Sequence, residues 1–143
     1  MPRGIPKEVV QHFQAVPLFS SVSRDGLRAL IQAATEVDVR AGRVLVNEGE
    51  WGREMYVILR GTAEVTKGGR KLRELVPGDF FGEMAFLSPA PRTATVTARS
   101  DMRVMVLDSR AMGVVVEKEP AVARRLLQAM ADRIRSTERS ATH

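Results

Sequence analysis

The chain has 143 residues, 44% of them hydrophobic and 27% charged, which fits one domain with a buried core. It has no cysteine and only two histidines, His12 and His143, which excludes disulfides, thiolate chemistry and the usual His/Cys metal centres. A net charge of +5, from 22 Lys+Arg against 17 Asp+Glu, suits an anionic small ligand, an acidic partner or weak nucleic-acid contact.

The opening Met1–Lys7 lacks the apolar run of a signal peptide, and no stretch approaches the roughly 18 apolar residues of a membrane span. A cytoplasmic protein without membrane contact is therefore expected. Residues 6–34 read as helical. Val9, Val10 and Phe13 lie at helical spacing until Pro17 ends the run, with His12 expected on the helix surface. Ser23 is placed to cap a second helix carrying Leu27, Leu30, Ile31 and Ala34 on one face.

Residues 35–108 change period. Val37 and Val39 alternate with polar residues; Val44 and Val46, 55–59, 63–65, 93–97 and 102–107 follow as short apolar or alternating runs. Turn signals separate them at Gly42, Gly49, Gly61, Gly68-Gly69 and Pro77-Gly78-Asp79. The pattern predicts an antiparallel β-roll, or jelly roll. Residues 109–136 turn helical again. Asp108 or Ser109 caps a short helix through Val116, and a second helix starts at Pro120. Val122, Leu126, Met130 and Ile134 form a stripe expected to dock on the roll or pair with a second copy. The whole is one domain over 1–143, mainly β with flanking helices. The start at Met1 and the polar tail 136–143 read as natural ends, with an excised domain as the alternative.

One stretch of the roll, Pro77 to Val96, does not read as plain strand. Gly82, Glu83 and the apolar Met84-Ala85-Phe86-Leu87 suggest about one turn of helix, followed by a proline-rich turn and Arg92. Such a segment can cradle an anion. Gly82 leaves the backbone open, the first amides of a short helix lack internal partners, and Arg92 can supply a fork of donors. Glu83 would repel that anion, so a sugar hydroxyl is the partner that gives it a task. A ribose joined to a compact phosphate ester would satisfy both residues.

The segment from Phe81-Gly82-Glu83-Met84-Ala85 through Pro91-Arg92-Thr93-Ala94-Thr95-Val96 resembles the phosphate-binding cassette of cyclic-nucleotide-binding domains, with eight residues between Glu83 and Arg92. That family includes kinase regulatory subunits, gated channels and the catabolite activator protein. The resemblance extends to 47–50, 55–58, 60–65, the lead-in 77–80 and the flanking helices. It implies a ligand site of Phe81, Gly82, Glu83, Met84, Ala85, Arg92, Thr93 and Ala94. In it, Glu83 would accept from the ribose 2′-hydroxyl, and Arg92 with the amides of Gly82, Met84 and Ala85 would hold the cyclic phosphate. Thr93 would serve phosphate or purine, and Arg124, Arg125, Leu127 or Gln128 would form a purine lid. The expected ligand is cyclic AMP, with cyclic GMP as the less favoured alternative, and no cofactor and no metal.

Other readings fit less well. Glu83 and Arg92 as a mere ion pair would not call for Gly82, and a degenerate module used for protein contact would not need the full set of cassette residues. A metal-dependent enzyme on such a roll would need histidines, which the roll lacks. A transcription regulator would need a DNA-reading domain that the 35 residues after Asp108 cannot hold, so no specific DNA binding is expected. The output is expected through a protein partner or a homodimer formed by the C-terminal helix.

Overall fold

The chain is described here by a computed structural model that covers residues 5–16, 19–87, 89–125, 127–128, 131 and 135. Two helices lead in, α1 (Lys7–Gln14) and α2 (Arg24–Ala33). Ser23 caps α2 as expected, its hydroxyl accepting from the amide of Gly26 at 3.0 Å. Pro17 lies outside the described residues.

The roll follows as β1 (Thr35–Val39), β2 (Val44–Val46), β3 (Trp51–Gly52), β4 (Met55–Arg60), β5 (Ala63–Lys67), β6 (Arg70–Leu75) and β7 (Phe80–Phe81). The short helix α3 (Glu83–Leu87) then precedes β8 (Ala90–Pro91), β9 (Thr95–Ala98) and β10 (Met102–Leu107). One antiparallel sheet runs β1-β10-β4-β7 and a second β2-β9-β5-β6, while β3 and β8 form a small ribbon of their own. Helix α4 (Ser109–Lys118) starts at Asp108, whose carboxylate accepts from the Ala111 amide at 3.0 Å. It runs two residues past the expected Val116. Residues 120–125 are helical again after Pro120.

The β4 run is apolar throughout because both its faces are buried. Met55, Val57 and Leu59 face α1, α2 and α4, joining Phe13, Phe19, Leu30 and Val115 in one cluster. Tyr56 and Ile58 face the roll interior with Val65, Phe81, Val96 and Val104. Strand β10 divides its side chains the same way, Met105 and Leu107 toward the helices and Val104 inward. Val122 is fully buried in the helical cluster; Leu126, Met130 and Ile134, the rest of the expected stripe, lie outside the described residues.

His12 departs from expectation. It is half-buried rather than on an open surface, with its ring against the turn at Gly78, where a Cβ would stand 3.6 Å from its Cδ2. That is an ordinary van der Waals distance, and what glycine supplies to this turn is its φ of +95°. Among the described residues, no helix is long and apolar enough to cross a membrane.

Candidate ligand-binding site

The site is built where β7 gives way to α3 and where β8 carries the chain back toward β9. Gly82 turns the chain there with φ +84°, a conformation that L side chains avoid, and a Cβ on it would sit 2.6 Å from the Glu54 carbonyl. Its own carbonyl accepts from the Phe86 amide at 3.0 Å, closing the turn of α3. Phe81 on one side and Phe86 on the other are buried in the two core clusters, so both ends of this turn are pinned.

Arg92 enters from the far side. Its backbone is clamped to the loop before β3: the Gly49 amide donates to its carbonyl and its own amide donates to Glu50, both at 2.8 Å. The side chain is only 7% exposed. Its Nη2 donates to the Glu54 carbonyl at 3.0 Å and approaches the Glu54 carboxylate at 3.4 Å. Nη1 is buried without a hydrogen-bond partner. The guanidinium lies over the Tyr56 ring, 6.0 Å from its centroid, and that ring stacks on Phe81 at 4.7 Å. Burial, with the Glu54 charge adding and Arg92 opposing, raises the Tyr56 phenol above its ordinary pKa. It therefore stays protonated beside the cation.

A cavity of about 170 Å³ opens at this point, lined by Phe81, Gly82, Glu83, Arg92, Thr93 and Ala94 over a floor of Val46, Val65 and Val96, with Arg73 at the rim. Six of the eight expected ligand residues thus meet around one space. Ala85 is instead buried beside it, and the Met84 side chain lies outside the described set. Glu83 is half-buried, and its carboxylate has no protein hydrogen bond among the described residues. Arg124, Arg125, Leu127 and Gln128 are exposed, and none of them lines the cavity. The structure does not bring the expected lid to the site.

Several functional residues were not expected. A Cβ on Gly52 would overlap Nε and Cζ of Arg92 and come within 2.5 Å of Nη2, so only glycine lets the guanidinium lie flat there. Glu54 and Tyr56 hold that same group from two further sides. Arg73 arrives through a bulge: the β5–β6 register slips between Val65 and Thr66, which leaves Leu72 unpaired and sets Arg73 opposite Val65 on the inner face. A glycine between turn residues and an arginine in a charged strand carry no sequence signal of either contact.

Comparisons with known proteins bear on the fold as a whole. A family model described as the cyclic nucleotide-binding domain matches residues 36–119. The chain is 39% identical over 94 residues to a cAMP-dependent protein kinase regulatory subunit of Yarrowia lipolytica, covering 64% of this chain and 25% of that protein. It is 29% identical over 125 residues to a CRP-like cAMP-activated global transcriptional regulator of Mycobacterium tuberculosis, covering 84% and 56%. The regulatory domain of the Toxoplasma gondii cAMP-dependent kinase, solved with cyclic AMP, superposes with a TM-score of 0.74 at 30% identity, covering 83% of this chain and 46% of that one. The chain therefore spans about half or less of the length of these relatives.

Proposed function

The chain belongs to the cyclic nucleotide-binding domain family, whose members are ligand-binding regulatory domains, and from that premise we propose that it is a sensor of cyclic AMP that binds the nucleotide at Arg92. One observation carries this reading: a guanidinium only 7% exposed belongs to the lining of a cavity, and its Nη1 is buried without a partner. A buried cation with an open donor is costly unless an anion completes it. Glu54 does so poorly, since its carboxylate is 38% exposed and 3.4 Å away.

Glu83 in the same lining disfavours a bare phosphate and favours a ligand that brings hydroxyls along with its charge. On this reading Glu83 accepts from the ribose 2′-hydroxyl and Arg92 forks onto the cyclic phosphate. The amides of Gly82, Met84 and Ala85 assist, and Thr93 and Ala94 close the rim. Phe81, Val65 and Val96 offer the apolar floor that a nucleoside needs. Cyclic AMP is preferred over cyclic GMP because the kinase subunit and the regulator it resembles are named for cyclic AMP. The signal leaves through the C-terminal helix, whose Arg124, Arg125, Leu127 and Gln128 reach the purine only after that helix moves. The receiver is a partner protein or a second copy, in the cytoplasm, with no specific DNA contact.

The ribose assignment has its own test. Glu83→Ala is expected to weaken cyclic AMP about tenfold, the size of one charged hydrogen bond, but to leave 2′-deoxy cyclic AMP almost unchanged. Calorimetric titration of parent and variant with both ligands reads the difference. Equal losses for the two ligands would move Glu83 away from the ribose.

A further inference from the structure

Glu119 occupies the break between α4 and the last helix. Pro120 follows it and disfavours helical backbone at the preceding residue, and Glu119 has φ −133° and ψ 79°. Its amide donates to Val115 at 2.7 Å and its carbonyl accepts from Val122 at 2.9 Å, so the one residue joins both helices. Its carboxylate is engaged by the protein at a contact that remains partly open to solvent. It reaches across to the start of α2, where Oε1 accepts from the Ser23 hydroxyl and from the Ser23 amide, the latter at 3.2 Å. The hydroxyl of Ser23 in turn accepts from Gly26. Gly26 supplies the space: a Cβ there would stand 2.7 Å from Glu119 Oε1 and 2.8 Å from its Cγ. A negative charge at the first turn of a ten-residue helix is also favoured by the helix dipole.

We propose that Ser23, Gly26 and Glu119 form a latch that ties the hinge of the C-terminal helix to α2 and so regulates the nucleotide site. The regulatory part rests on the function proposed above. In the latched structure Arg124, Arg125, Leu127 and Gln128 stay out of the cavity lining. The latch thus holds the position with the lid withdrawn, and releasing it shifts the population toward closure. A ligand that gains from closure binds the unlatched chain more tightly, and by linkage its binding weakens the latch.

Hydrogen–deuterium exchange of the full chain without nucleotide tests the latch directly. In Glu119→Ala, amides of 121–125 are expected to exchange at least about tenfold faster, with β4 and β10 unchanged. Gly26→Ala is the second variant: its Cβ would stand 2.7 Å from both Glu119 Oε1 and Val22 Cγ1, so it crowds the carboxylate and a core side chain while replacing glycine by a better helix former. Cyclic AMP is expected to bind both variants about three- to tenfold more tightly. Unchanged exchange at 121–125 in both variants would overturn the latch. Faster exchange at unchanged affinity would overturn its coupling to the site. A parent chain that binds no cyclic nucleotide would sink the binding function, while the exchange result would still decide the latch.

Discussion

Arg92→Ala is expected to weaken cyclic AMP binding by about 30- to 700-fold, the loss of two charge-assisted hydrogen bonds, while the free chain unfolds within a few degrees of the parent. Affinity and stability part company because Arg92 is not a well-satisfied structural residue. Its Nη1 has no partner, and its ion pair with Glu54 is long and half-exposed. Removing an under-satisfied buried cation relieves a desolvation cost that offsets the lost contact with Tyr56. Arg92→Lys keeps the charge but not the planar fork, and belongs between parent and alanine variant. Titration and a thermal melt of the three proteins check this. Parent-like affinity in the alanine variant would remove the phosphate from this cavity.

Gly52→Ala is expected to weaken binding nearly as much, although Gly52 touches no ligand in the proposed site. The added methyl would take the space of the guanidinium, so Arg92 must leave the face of Tyr56 and its fork no longer meets the cavity. Stability should hold or rise slightly, because the backbone of Gly52 is outside the positive-φ region and alanine loses less freedom on folding. Titration of this variant beside Arg92→Ala separates positioning from contact. Full affinity in Gly52→Ala would mean that Arg92 works from a different rotamer when ligand is bound.

Much of the fold is legible in the sequence because its signals are local. Ser23, and either Asp108 or Ser109, are read as caps from residue type and from the periodic run that follows, and Ser23 and Asp108 are the ones that cap. The apolar run at β4 is legible as a strand because it serves two cores at once. Strand β6 is not: of Arg70 to Leu75 only Leu75 is buried, and an edge strand that meets solvent carries no alternation to read. The cavity residues from Phe81 to Ala94 are legible because their chemistry is concentrated in one segment. Gly52, Glu54 and Arg73 are not, because each acts through a contact with a residue distant in the chain. The lid is legible only as a helix. Whether it reaches the site depends on the hinge at Glu119, and that depends on a packing contact with Gly26.

The most direct measurement is titration of the full chain with cyclic AMP, cyclic GMP and 5′-AMP, by calorimetry and by fluorescence of its single tryptophan. Trp51 is 74% exposed on β3, where it pairs with Pro91 next to Arg92. The expected result is micromolar or tighter binding of cyclic AMP, weaker binding of cyclic GMP and little response to 5′-AMP. Neither heat nor a thermal shift with either cyclic nucleotide would contradict the account and leave the roll as a fold kept for protein contact.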